Sequence, residues 1–309
     1  MRSRDIAILA TTLLLLIAGG IAAAVTRGGE GGETTTLKLS STTLLAAGDI
    51  AECGHEGDEA TADILAEYPS AVIATLGDNA YDHGTAQEFE NCYGASWGDF
   101  KDRTRPATGN HDMSTKNAQG YWEYFGDRGG PYDKYFYSYD IGVWHAVVLN
   151  SDCWRVDGCD LDDPQAQWLR DDLRRNARSC TLAYWHRPPF SSGRYGAPKE
   201  TGRVRPLWQI LYEEGVDILL TGHEHSYERF APMDAAGNQD DENGVRLFVV
   251  GTGGGNLRPF ENPPLPTTIV RNDDTWGVLK LTLTAGQYAW EFLPVKNSTF
   301  TDSGSGSCH

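Results

Sequence analysis

Six short apolar runs limit what this chain can fold into. They are TLLAAGD (43–49), VIATLGD (72–78), VWHAVVLN (143–150), CTLAYWH (180–186), VDILLTGH (216–223) and RLFVVGTGGG (246–255). Most are continuous in hydrophobicity rather than alternating, as strands buried on both faces are. Amphipathic helices fall between several of them. Residues 164–177 put Ala166, Leu169, Leu173 and Ala177 on one face, with Asp163 as N-cap and Pro164 at the first helical position. Residues 203–214 do the same with Val204, Leu207, Trp208, Leu211 and Tyr212. This is an α/β pattern. KYFYSYDIG (134–142) leads into VWHAVVLN, and GVLKLTLTA (277–285) turns at Gly286 into QYAWEFLPV (287–295), so hairpins make the sheets mixed. The stretch from Thr252 to Asp274 reads as a long loop, and GTGGGN (251–256) as a flexible one.

The ends of the chain carry other signals. A basic start with Arg2 and Arg4, an apolar run from Ile6 to Val25 and the triplet Ala22-Ala23-Ala24 make residues 1–25 a signal peptide or an uncleaved N-terminal membrane anchor. Either way the rest of the chain leaves the cytoplasm, secreted or anchored with the domain outside. Residues 26–42 read as a flexible linker, 43–296 as one folded domain, and 297–309 as a tail that is disordered unless Cys308 ties it down. Six cysteines without a C-x-x-C suit disulfides in an exported protein. Cys153 and Cys159 can close a short loop. Cys53 with Cys92 and Cys180 with Cys308 are two candidates among about 15 connectivities. A net charge of −17 argues against nucleic-acid partners and against membrane contact other than through the N-terminal segment.

The strand ends carry the chemistry. Asp49 and Asp78 each follow a glycine at the end of a run, and Tyr81 lies three residues past Asp78. Asn110 and His111 sit in GNHD (109–112), His186 ends AYWH, and His223 and His225 flank Glu224 in GHEHSYER (222–229). In open α/β sheets ligands bind beyond the carboxyl ends of the strands, so one rim gathers these residues. Asn150 lands at the same edge. Carboxylates, an amide, a phenol and three imidazoles suffice for two metal ions sharing a carboxylate. If the chain is extended at 223–225, both imidazoles face one side. Each segment alone also has a structural reading: a tight turn for Gly-Asp, a buried hydrogen-bonded Tyr81, a pair of packed histidines. His145 reads as a satisfied core or edge histidine. His55 and His83 lie in loops near the candidates, and His309 is in the tail. No G-x-S-x-G elbow or Walker lysine is present.

Taken in order, the segments GDI (48–50), GDNAY (77–81), GNHD, AYWH and GHEHSYER resemble those of the calcineurin-like metallophosphoesterases, and more narrowly the purple acid phosphatases. Ala51 stands where most of the superfamily has histidine, and Tyr81 completes the G-D-x-x-Y of the purple enzymes. The resemblance implies a four-layer αββα sandwich of two mixed β-sheets flanked by helices. It implies one metal on Asp49, Asp78, Tyr81 and His225, a second on Asp78, Asn110, His186 and His223, and His111 beside the leaving group. The implied ions are Fe(III) with Fe(II), Zn(II) or Mn(II). The implied activity is hydrolysis of phosphomonoesters by attack of a metal-bridged hydroxide on phosphorus. A phosphodiesterase or nucleotide-cleaving enzyme would use the same centre. A non-catalytic exported protein binding metal or phosphate is the alternative of another class.

Overall fold

The computed structural model describes residues 41–309. The expected signal or anchor segment (1–25) and residues 26–40 of the expected linker lie outside the described residues. Among the described residues fifteen strands occur: β1 (Thr42–Ala47), β2 (Ala51–Glu52), β3 (Val72–Leu76), β4 (Ala80–Tyr81), β5 (Thr104–Ala107), β6 (Tyr137–Ile141), β7 (Trp144–Val148), β8 (Thr181–Tyr184), β9 (Ile218–Thr221), β10 (Tyr227–Met233), β11 (Val245–Val250), β12 (Thr268–Asn272), β13 (Gly277–Thr284), β14 (Gln287–Pro294) and β15 (Ser303–Ser307). One sheet has the order β15-β14-β13-β1-β3-β5, and the other β12-β10-β11-β9-β8-β7-β6. β2 and β4 form a short parallel pair. Each large sheet has a parallel part, β1-β3-β5 and β7-β8-β9-β11, and antiparallel neighbours, as the hairpins predicted.

Strand alternation builds the layers. Trp144, Ala146 and Val148 of β7 enter the core shared with the other sheet, as do Leu182 and Tyr184 of β8 and Phe248 and Val250 of β11. Their neighbours Val147, Ala183, Leu247 and Val249 turn to a second core with Leu169 and Leu173 of helix Pro164–Arg175 and Leu207, Trp208 and Leu211 of helix Arg205–Glu213. Continuous hydrophobic runs are the signature of strands covered on both sides. Aromatic rings join the two sheets: Tyr227 to Phe292 at 4.8 Å, Phe248 to Trp290 at 5.7 Å and Trp144 to Tyr288 at 5.9 Å between centroids. Helix Gly57–Ala66 adds Ala62, Ile64 and Leu65 to the first core. The result is the expected sandwich of two mixed sheets with helices.

Several local expectations differ. Asp163 occupies the N-cap position, but its carboxylate accepts from the Asp160 N–H instead of from the helix. The helix stops at Arg175, two residues short of the expected end. The expected loop 252–274 contains β12, which pairs with β10. GTGGG is packed rather than free: Gly251 to Gly255 are buried, and the Gly253 and Gly255 N–H groups donate to the carbonyls of Gly48 and Asp49. Glycine is needed there for close approach, since a Cβ on Gly251 would lie 2.6 Å from Asp49 Oδ2. Residues 303–307, in the expected tail, form the edge strand β15. The disulfides are Cys53–Cys92, Cys153–Cys159 and Cys180–Cys308, so Cys308 does tie the chain end down.

Candidate metal centre

The parallel strands of both sheets end at one place. Asp49 follows β1, Asp78 follows β3, Asn110 follows β5, His186 follows β8 and His223 follows β9. Backbone bonds hold the turns together: the Asp49 N–H donates to Gly77 O, and the Gly222 N–H to His186 O. Four candidates have left-handed backbones, with φ of 58° at Asp49, 49° at Asp78, 75° at His223 and 51° at His225. Each costs about 1–3 kcal/mol for a non-glycine residue, and such strain concentrates at functional sites. The chain at 223–225 is therefore turned, not extended, and the two imidazoles go to different neighbours.

Asp78 stands between two groups. Its Oδ1 accepts the His111 N–H at 2.8 Å, and Oδ2 faces the others. His186 Nε2 lies 3.0 Å from Oδ2, and the Tyr81 hydroxyl 3.4 Å from it. Around Tyr81 are Asp49 Oδ1 at 2.8 Å and His225 Nε2 at 3.0 Å. Around His186 is His223, whose Nδ1 is 3.1 Å from Nε2. The remaining ring nitrogens are spoken for: His186 Nδ1 meets Leu76 O at 2.8 Å and His225 Nδ1 meets Asn256 O at 2.7 Å. These carbonyls fix which nitrogen faces the cluster. Gly109 leaves no room for a side chain, since a Cβ there would lie 2.1 Å from Asp78 Oδ1.

The site is buried and strongly polar. Burial pushes the carboxyls of Asp49 and Asp78 up, but His225 and His186 beside the first, and His186 and His111 beside the second, bring both below the usual range. Burial opposes charge on His186, yet Asp78 and Asp49 raise it to about 9. Burial, with the charges of His186 and Arg187, holds His223 well below the usual imidazole value. Burial, Asp49 and Asp78 all keep Tyr81 protonated. A hydroxyl, two carboxylates and three imidazoles packed this closely would be stabilised by bound cations. Oδ1 of Asn110 is buried without a hydrogen-bond partner among the described residues, an acceptor left open. Carboxylate, phenol, amide and imidazole together suit first-row metals, so the donor set fits the implied ions.

His111 lies at the mouth, partly exposed. Its Nδ1 meets Asp82 O at 2.5 Å, and its Nε2 is 3.9 Å from Asp78 Oδ2. The other histidines stay outside the cluster. His145 is held between Asp140 and Asp172, the satisfied histidine that was expected. His55 pairs with Glu52, and His309 with Asp217. Asn150 positions a loop: it accepts from the Asp152 N–H and is itself held by Gln165.

Four supporting residues escaped the sequence reading. Asp112 accepts from the N–H groups of Asn79 and Gly109 and from the Asn79 amide, lacing two of the motif turns together. Burial and the charge of Asp78 push its carboxyl up to about 7. Glu224 accepts the Tyr195 N–H, which sets the Tyr195 ring on His223 with centroids 4.5 Å apart. Arg187 reaches His223 from the other side, with Nη1 2.9 Å from Nε2. Its position directly after His186 was the available signal.

The calcineurin-like phosphoesterase family profile matches residues 42–227, and the chain belongs to that family. Within it the chain is similar to purple acid phosphatases. It is 27% identical to purple acid phosphatase 22 of Arabidopsis thaliana over 56% of this chain and 42% of that protein. It is 29% identical to human acid phosphatase type 7 over 44% of this chain and 32% of that one. The matched part is thus less than half the length of either relative. The structure of a purple acid phosphatase from yellow lupin seeds superposes with a TM-score of 0.71, 19% identity, and coverage of 87% of this chain and 54% of that one, which shows the shared fold.

Proposed function

We propose that the protein is an exported phosphoester hydrolase that acts on phosphomonoesters with two metal ions. Asp49, Asp78, Tyr81 and His225 would hold one ion, and Asp78, Asn110, His186 and His223 the other. The observation that supports this most is Asp78 Oδ2, which stands 3.0 Å from His186 and 3.4 Å from Tyr81 while Oδ1 is occupied by a backbone N–H. One oxygen is thereby left for both groups. Bound cations would supply Lewis acidity and lower the pKa of water from about 15.7 toward 7. The candidate ions remain iron with iron, zinc or manganese, as the phenol of Tyr81 favours a strongly acidic metal on its side.

The chain's own residues do the rest. Glycines at 109 and 251 let the carboxylates approach without steric cost. His111 donates Nδ1–H to the Asp82 carbonyl, which leaves Nε2 as the nitrogen available at the mouth. As an imidazolium, with one proton on Nδ1 and a second on Nε2, it would give the Nε2 proton to the departing alkoxide or hydrogen-bond it and be left as the neutral Nδ1–H form. Three disulfides and the apolar N-terminal run support an extracellular place of work. The test is turnover of p-nitrophenyl phosphate by protein supplied with iron, zinc or manganese. Asp78→Asn should lower kcat/KM by about 10²-fold or more. Full activity in that variant, or none in the metal-supplied parent, would refute the reading.

A further inference from the structure

Arg187 points into the site instead of toward solvent. Nε donates to Asp152 Oδ1 at 3.0 Å, and the arginine and aspartate side chains are 13% and 2% exposed. The guanidinium carbon sits 5.2 Å from the centre of the Trp154 ring. Asp152 is fixed in turn through Asn150 and Gln165. A buried carboxylate, an indole and a buried amide pair therefore hold one cation at the edge of a site whose donors call for more cations. With cations in the site the guanidinium would add positive charge that Asp152 offsets on its Nε side alone, which favours an anion at its other edge.

The imidazole contact points the same way. His223 presents Nδ1 to the cluster and Nε2 to Arg187. If Nδ1 serves the cluster, the ring proton sits on Nε2. Nε2–H and Nη1–H are then two donors facing one another, and an anionic oxygen is the acceptor that satisfies both. Nη2 of Arg187 has no hydrogen-bond partner among the described residues, so the fork retains a further donor.

We propose that Arg187 receives a non-bridging oxygen of the phosphoryl group and thereby sets a preference for monoester dianions over diesters. This rests on the phosphoester reading above. A monoester offers three non-bridging oxygens and up to two negative charges. A diester replaces one of those oxygens by an ester link and carries a single charge. With a diester the guanidinium loses charge complementarity and risks a buried donor without an acceptor.

Two variants test this, Arg187→Gln and Arg187→Lys, in metal-reconstituted full-length protein with metal per chain measured. Calorimetry with inorganic phosphate gives the affinity. The ratio of kcat/KM for p-nitrophenyl phosphate to that for bis(p-nitrophenyl) phosphate gives the preference. With metal content retained, Arg187→Gln should weaken phosphate binding at least about tenfold and lower the ratio by a similar factor, with Arg187→Lys intermediate. An unchanged phosphate affinity and ratio would overturn the proposal. So would loss of metal in both variants, which would assign Arg187 to positioning His223 alone. A parent protein that holds two metals yet hydrolyses neither ester would instead refute the broader phosphoester reading.

Discussion

In the proposed centre His111 and Tyr81 would divide the work between them. With Nδ1–H on the Asp82 carbonyl, His111 as an imidazolium would have its Nε2–H free for a leaving group. His111→Ala should slow alkyl phosphates, whose leaving groups need a proton, at least about tenfold more than nitrophenyl phosphate. Equal slowing of both in steady-state assays would remove the leaving-group role. Tyr81 is buried against Asp49 and stays protonated without a cation. A ferric ion held there would displace that proton to solvent, and iron-loaded protein should then show a visible phenolate-to-iron charge-transfer band that Tyr81→Phe abolishes. Absence of the band in the iron-loaded parent would put Tyr81 outside the ligand set. Residue types at strand ends were legible because the chemistry needs those types. Arg187 and Asp112 were not, since their roles come from contacts with His223 and with the turns at Asn79 and Gly109, which no spacing encodes.

Two contacts between elements make separate predictions. The chain end is bound into the sandwich three ways: β15 pairs with β14, Cys308 joins Cys180, and the buried Asp302 accepts from Arg229, Tyr227 and Trp290. The disulfide closes a span of 128 residues. Cys308→Ser should reduce unfolding free energy by about 2–5 kcal/mol in denaturant titrations. The second contact ties β6 and β7 to helix Pro164–Arg175, with His145 between Asp140 and Asp172. Burial disfavours the imidazolium, but the two carboxylates outweigh it and the net pKa is raised above 6.5. A raised folded value gives stability that is complete below about pH 6.5 and lost as pH climbs through the folded value. Thermal midpoints of the parent should fall across that window, and those of His145→Gln should change less. Strand β15 escaped the sequence reading because SGSGS lacks hydrophobic alternation and is held by partners far away in the chain.

At the scale of the whole molecule, the sandwich brings the carboxyl ends of two parallel strand sets to one rim. β1, β3 and β5 deliver Asp49, Asp78 and Asn110 from one sheet, and β8 and β9 deliver His186 and His223 from the other. The fold class was readable because buried parallel strands leave continuous apolar runs, and five of the six runs ended in a polar residue. The packing of GTGGG was not readable, because glycines that look free in sequence are the ones that permit close approach in space. A carboxylate oxygen shared between donors from both sheets is the feature on which the proposed centre rests. Anomalous diffraction from metal-loaded crystals tests it most directly. Two peaks should flank Asp78 Oδ2, one beside Tyr81 and His225 and the other beside His186 and His223. A single peak, or peaks out of coordination range of Asp78, would contradict it.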